Sequence, residues 1–182
     1  MSKTTLLREL RGMEKEQLIE IILQAYSAGK ETKEYFDFFT NPDPQGMYEK
    51  YALQIDKELS RVKRGRRTKA RISVIKACIR KFSSFEPGSE LVTDLYLYAI
   101  SHSLLTEKNI YFSETLFNGV KKLAADAVVF ADKQGTTKQL LVGIERMMDE
   151  ETGTKHFRRL VKEGIADGML KLSEKQNTPV IH

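Results

Sequence analysis

Residues 113–133 read SETLFNGVKKLAADAVVFADK and form the longest helical pattern of the chain. Their apolar positions are Phe117, Val120, Leu123, Ala124, Ala127, Val128 and Ala131. This spacing of three or four residues places the side chains on one face of an α-helix. Gly135 is the predicted terminator, because glycine accepts the left-handed conformation that often ends a helix.

Similar patterns lie on both sides of this segment. Residues 90–105 are apolar nearly all round, which predicts a buried central helix. Asp43 and Pro44 are typical of a helix start, because the carboxylate accepts amide hydrogens and proline needs no donor there. The helices that follow Pro44 have apolar stripes at Met47, Tyr51, Ile55, Leu59 and Val62, then at Ile72, Ile75, Ile79 and Phe82.

The two ends of the chain are also helical in pattern. Helices are predicted over residues 4–10 and from about residue 18 to Gly29, and a compact aromatic plug over residues 35–39. Two more helices are predicted over residues 140–148 and 155–172. In the last of these, Gly164 and Gly168 cost roughly 1 kcal/mol each relative to alanine unless close packing compensates.

The predicted fold is therefore all-α, with about eight to nine helices. Four prolines leave long stretches free of helix breakers, and strand-like alternation is nearly absent. Short connections allow either an irregular antiparallel bundle or α-solenoid-like helix pairs. We expect one helical domain over residues 1–173 and a flexible tail over residues 174–182.

Composition places this chain among folded proteins of a reducing compartment. Of 182 residues, 41% are hydrophobic, and nine Phe and seven Tyr supply the large side chains that a core needs. The first residues, MSKTTLLRELRG, lack the apolar stretch of a secretory signal, and no membrane span is predicted. Because Cys78 is the single cysteine, no intrachain disulfide can form, and a cytoplasmic location is expected.

The basic segment 61–71, RVKRGRRTKAR, is the sharpest local feature. It contains seven of the 30 basic residues, so 23 basic and 25 acidic residues remain elsewhere and carry a net charge of −2. The positive charges of such a cluster repel one another unless hydration, an acidic partner or a nucleic-acid backbone offsets the repulsion. The candidate binding residues are Arg61, Lys63, Arg64, Arg66, Arg67, Lys69 and Arg71.

No catalytic, metal or cofactor site is predicted. The three histidines and Cys78 stand at no metal-ligand spacing, and neither a phosphate-binding glycine loop nor a nucleophile motif occurs. We interpret Cys78 as a small core residue rather than a thiolate activated by nearby cations. His102 is interpreted as a hydrogen-bonded, half-buried imidazole, and His156 and His182 as surface or terminal residues.

The favoured function is a non-enzymatic module that binds another protein through exposed aromatic side chains and the basic segment. Nucleic-acid binding through the same segment is the alternative, although aromatic residues do not interleave with the cations as single-strand binding prefers. An enzyme with a site built from Tyr98, His102 and Glu107 is the third hypothesis. Oligomeric state stays open. The aromatic candidates, expected to be mostly core, are Tyr35, Phe36, Phe38, Phe39, Tyr96, Tyr98, Tyr111 and Phe112.

Several segments together resemble an uncharacterised bacterial family, a domain of unknown function. They are LLRELRGMEKEQLIEIILQAYSAGKETKEYFDFF (6–39), NPDP (41–44), the basic segment and SFEPGSE (84–90). The resemblance implies a bacterial, cytosolic, helical protein. It transfers no activity and no site residue.

Overall fold

The computed structural model describes residues 2–150 and 152–176. In this part of the chain the fold is all-α, as predicted, with nine α-helices and one 3-10 turn at Arg64–Arg66. The helices are α1 Lys3–Arg11, α2 Lys15–Ala28, α3 Lys30–Thr40, α4 Pro44–Leu59, α5 Ile72–Ser83, α6 Ser89–Glu107, α7 Glu114–Gln134, α8 Thr137–Asp149 and α9 Lys155–Gln176.

The chain forms two compact units, one ending at Asp43 and the other beginning at Pro44. The sequence predicted one domain over residues 1–173 and a flexible tail over residues 174–182. Helix α9 runs through Gln176, and residues 177–182 of the predicted tail lie outside the described residues.

The N-terminal unit contains α1, α2 and α3. The Tyr26 ring in α2 lies 6.4 Å from the Phe36 ring in α3, and the Tyr26 hydroxyl donates a 2.9 Å hydrogen bond to Asp37. Among residues 2–43 none is buried, and Phe39 is 71% exposed. The prediction of a compact aromatic plug is therefore wrong, because Tyr35 and Phe39 lie at the surface of this unit.

The second unit is organised around α6, which contacts α4, α5, α7, α8 and α9. This arrangement is an irregular bundle, since in a solenoid each helix pair contacts only its neighbours. Most predicted core positions of the three helices before Gly135 are buried, including Ile75 in α5, Leu95 in α6 and Val128 in α7, whereas Ile72 and Phe117 are half-buried. The helical spacing thus identified the core face of each of these helices.

Candidate functional site

The basic segment 61–71 connects α4 to α5 and folds as a hairpin, which we call the cationic hairpin. Its two arms meet in an antiparallel bridge between Val62 and Thr68. The Lys63 amide donates to the Arg67 carbonyl at 2.7 Å, and the Lys69 amide donates to the Arg61 carbonyl at 2.7 Å. The tip turns through Gly65, whose φ of 74° suits a residue without a Cβ. The segment is therefore an ordered projection.

Glu58, at the end of α4, fixes the base of the hairpin. Its side chain is 7% exposed, and its oxygens accept hydrogen bonds at 2.9 and 3.0 Å from the Arg61 guanidinium. The backbone amide and Nε of Arg71 donate to Oε1 at 2.8 and 3.3 Å. Burial raises the pKa of Glu58, but the hydrogen bonds from Arg61 and Arg71 outweigh burial, so its pKa lies below the ordinary value.

Two of the seven predicted site residues, Arg61 and Arg71, are thus occupied in holding the hairpin. The other five side chains are exposed, and within residues 2–150 and 152–176 they form no ion pair and no side-chain hydrogen bond. Their charges are available to an anionic ligand. These five are Lys63, Arg64, Arg66, Arg67 and Lys69.

An exposed aromatic residue adjoins the cations. The Thr68 amide donates to the Tyr111 carbonyl at 2.9 Å, and the Tyr111 amide donates to the Arg66 carbonyl at 2.8 Å. The Tyr111 residue itself is 75% exposed. Tyr111 belongs to the connection between α6 and α7, so no local spacing in the sequence links it to the basic segment.

A cleft of about 370 Å³ opens beside this junction. Its aromatic lining comes from Tyr111, Phe112 and Phe117, and Arg66 and Lys108 supply cations. The rings of Phe112 and Phe117 lie 5.7 and 4.8 Å from the ring of fully buried Phe157. The aromatic wall is therefore anchored in the core.

One carboxylate, Glu107, also lines this cleft. One of its oxygens accepts from the Thr154 amide and the other from the Thr154 hydroxyl, both at 3.2 Å. Sequence reasoning placed Glu107 in a hypothetical catalytic group with Tyr98 and His102. The described contacts place it instead at the cleft beside the cationic hairpin.

Tyr98 and His102 meet a different carboxylate, that of Asp56. The Tyr98 hydroxyl donates to Asp56 Oδ1 at 2.8 Å, and His102 Nε2 lies 3.0 Å from the same oxygen. Burial and the hydrogen bond to Asp56 raise the pKa of Tyr98. These contacts tie α6 to α4, and His102 is half-buried and hydrogen-bonded as the sequence predicted.

The remaining sequence candidates have ordinary surroundings. Cys78 is 8% exposed, and burial raises the pKa of its thiol, which disfavours a reactive thiolate. His156 is exposed, with its ring 5.6 Å from that of Phe117. His182 lies outside the described residues.

The described part of the chain offers neither a group of three metal-binding side chains nor a helix of sufficient length and apolarity to cross a membrane.

Comparison with known proteins gives a family match. The model of a family of unknown function, DUF6155, matches residues 1–175. No curated protein and no solved structure matches the chain. The family carries no assigned activity, so its match adds no ligand to the site.

Proposed function

We propose that this chain, which belongs to the DUF6155 family of unknown function, is a non-enzymatic protein that binds single-stranded nucleic acid through its cationic hairpin. The observation that carries the proposal is the junction of the unpaired cations with exposed Tyr111. The sequence alone favours a protein partner, because its basic segment contains no aromatic residue. The contact with Tyr111 removes that objection.

The five unpaired cations supply the electrostatic part of binding. Each phosphate that they neutralise releases condensed counterions, which gives a salt slope of about −0.7 per phosphate for a single strand. Five such contacts give a slope of about −3.5. A strand that crosses the hairpin would also relieve the repulsion among its cations.

A single strand fits this surface better than a duplex. Bases of a single strand are free to stack on aromatic side chains, and every base has a π-face that suits Tyr111. A duplex hides those faces and is commonly read by a helix in the major groove. The hairpin instead places its cations beside an exposed ring.

A salt titration tests this proposal. We expect a labelled oligothymidylate to bind in fluorescence anisotropy with affinity that falls steeply between about 50 and 200 mM salt. Neutralising Arg64, Arg66 and Arg67 to Gln removes three contacts, so the slope should drop to about −1.4.

The matched control removes three exposed cations outside the hairpin, by substituting Lys133, Lys138 and Lys162 with Gln. Its slope should stay near that of the unmodified protein. Equal losses in the two triple variants would show a general charge effect and contradict the proposed site.

Protein binding is a second candidate function, and the N-terminal unit supports it. Its apolar surface includes Leu23 in α2, which is 60% exposed, and a unit of about 40 residues is rarely stable without additional support. Exposed Glu16 and Glu20 flank this surface. We propose a partner helix with an apolar face and basic flanks. The exposed apolar residues are Leu6, Leu7, Ile19, Ile21, Ile22, Leu23, Tyr35 and Phe39.

Two synthetic amphipathic peptides test the second candidate function in the full chain. They have the same apolar face, but one is flanked by Lys residues and the other by Glu residues. We expect the Lys peptide to bind more tightly, and Leu23→Glu to weaken it about tenfold through burial of a charge. Val142→Glu adds the same charge at an exposed position of α8 and should have no effect. Equal binding of the two peptides would contradict this partner.

The location that we propose is the cytoplasm of a bacterial cell. A lone cysteine, which cannot form an intrachain disulfide, supports a reducing compartment.

A further inference from the structure

A cavity of about 470 Å³ lies in the second unit among α4, α6 and α8, apart from the cationic hairpin. Helices α4 and α8 both pack against α6, and the cavity occupies the space between them. Its volume is within the range of about 300 to 1,000 Å³ that is usual for small-molecule pockets. The α6 residues that line it share one helix face, because they recur at three or four residues. They are Leu91, Asp94, Leu97, Tyr98 and Ser101.

Asp94 gives this cavity its unbalanced charge. Its Oδ1 accepts a hydrogen bond from Gln139 Nε2 at 2.7 Å. Its Oδ2 accepts none within residues 2–150 and 152–176, and its carboxylate forms no ion pair there. The other two charged residues of the lining, Arg146 and Glu150, pair with each other at 2.9 Å. The cavity therefore favours a cationic ligand, placed at Asp94.

Two hydroxyl groups of the lining have no hydrogen bond to any described residue. They belong to Tyr48 and Ser101, and both residues are half-buried. Burial and the nearby charge of Asp94 raise the pKa of the Tyr48 hydroxyl, so it stays neutral at neutral pH. Both hydroxyls can therefore accept hydrogen bonds, as Oδ2 of Asp94 can. A primary ammonium group has three N–H donors, which equals the number of these acceptors.

The aromatic part of the lining also suits a cation. The rings of Tyr48 and Tyr98 lie 6.3 Å apart at an angle of 74°, so they form a corner. The face of such a ring attracts a positive charge. The Tyr98 hydroxyl is held by Asp56 at 2.8 Å, which fixes the orientation of that ring.

The apolar part of the lining suits a hydrocarbon chain. Leu91, Leu97 and Met147 contribute it, and a chain of methylene groups gains free energy when such side chains cover it. We propose that this cavity binds a primary aliphatic amine, with its ammonium group at Asp94 and the two free hydroxyls and its methylene chain against the apolar side chains. A free alkylamine and the side chain of a lysine residue share this chemistry.

Three probes of equal chain length test the proposal in the full chain by amide NMR titration. They are hexylamine, hexanol, which has no charge, and hexyltrimethylammonium, which has the charge but no N–H donor. We expect hexylamine to bind about tenfold tighter than either of the others, as charge-assisted hydrogen bonds predict. Equal affinity for hexanol would overturn the role of the carboxylate. Equal affinity for the quaternary ammonium would overturn the assignment to a primary amine.

A series of amines tests the place of the methylene chain. Each methylene group that is buried against the apolar lining should tighten binding by up to about fourfold. Hexylamine should therefore bind more tightly than pentylamine, and pentylamine more tightly than butylamine. Equal affinities across the series would contradict the proposed contact with the leucines and methionine.

Two variants separate the charge from the hydroxyl. Asp94→Asn keeps an acceptor for Gln139 but removes the charge, so it should lower the affinity for hexylamine about tenfold. Tyr48→Phe keeps the ring and should lower it about threefold. Because the Tyr48 hydroxyl bonds to no described residue, this variant should fold even if Asp94→Asn does not. Thermal unfolding measured by circular dichroism checks both.

The matched control is Asp132→Asn, which removes a carboxylate from an exposed position of α7 outside the cavity lining. Its affinity for hexylamine should equal that of the unmodified protein. Equal losses in Asp94→Asn and Asp132→Asn would show a general charge effect and contradict the site. Unchanged affinity in Asp94→Asn or in Tyr48→Phe would contradict the role of that residue.

A lysine residue blocked at both backbone ends distinguishes the two sources of the amine. If it binds as hexylamine does, the cavity accepts the lysine side chain of a protein. If only hexylamine binds, the ligand is a free amine. Binding of neither would overturn the proposal, and none of these outcomes depends on whether the cationic hairpin binds nucleic acid.

Discussion

At the scale of single residues, Glu58 has the clearest structural role. Its carboxylate is nearly inaccessible to solvent, and it collects donors from both arms of the cationic hairpin through Arg61 and Arg71. The hairpin therefore projects five unpaired cations, because the other two, Arg61 and Arg71, both pair with Glu58 at its base. A buried carboxylate without these donors would be strongly disfavoured.

The lowered pKa of Glu58 predicts a pH-dependent contribution to stability. A carboxyl group whose pKa is lower in the folded than in the unfolded protein stabilises the fold when the pH lies above its ordinary pKa, here 4.5. This stabilisation is lost as the pH falls through the pKa of the folded state. We expect Glu58→Gln to reduce the free energy of unfolding by about 1–2 kcal/mol at pH 7. The loss is no larger because both guanidiniums are partly exposed, so solvent screens their ion pairs with Glu58.

Urea denaturation at pH 7 and at about pH 3 checks this prediction, since the difference between Glu58→Gln and the unmodified protein should shrink on acidification. Glu145→Gln serves as the control, because Glu145 is exposed and has no side-chain hydrogen bond among the residues described. A constant difference across this pH interval would argue against the Glu58 assignment.

At the scale of helices, glycine has different roles at different positions. Gly135 ends α7 in the left-handed conformation that the sequence predicted, with φ 76°. Gly29 also ends a helix, as the sequence predicted, but its φ of −167° is extended backbone that any residue can adopt. Gly164 and Gly168 lie inside α9, where a Cβ would meet the backbone or side chains of α7. These two glycines permit close packing of α7 against α9.

The close packing predicts that Gly164→Ala destabilises the protein despite its better helix propensity. Its Cβ would overlap the carbonyl oxygen of Lys121 in α7, which cannot move without shifting the helix. We expect a net loss of about 1–3 kcal/mol, against a propensity gain of about 1 kcal/mol.

Denaturant unfolding of Gly164→Ala and Gly143→Ala provides the comparison. At Gly143 the nearest atoms to an added Cβ would be Cδ1, Cδ2 and Cγ of the flexible Leu97 side chain, which can rotate away, so the effect should be smaller. If Gly164→Ala proved as stable as the unmodified protein, the proposed close contact between α7 and α9 would be incorrect.

At the scale of the whole molecule, charge and apolar surface are distributed unevenly. Residues 1–43 contain six basic and eight acidic side chains, whereas residues 44–182 contain 24 basic and 17 acidic ones. The seven cations of the hairpin account for the whole excess in the second unit. The family match covers 1–175, so both the exposed apolar surface of the first unit and the cationic hairpin of the second belong to the matched region.

The sequence by itself determined the helices, most of their ends and the buried faces of the second unit, because apolar spacing and capping residues act within a few turns of the chain. It also located the cationic segment. Only the tertiary structure decided that Glu58 pairs with Arg61 and Arg71, that Tyr111 joins the hairpin, and that Glu107 lines the neighbouring cleft. It also decided that Phe39 lies at the surface of the N-terminal unit. These outcomes depend on contacts between residues that are distant in sequence, or on how much surface the neighbouring helices cover. The spacing of apolar residues along the chain predicts neither of them.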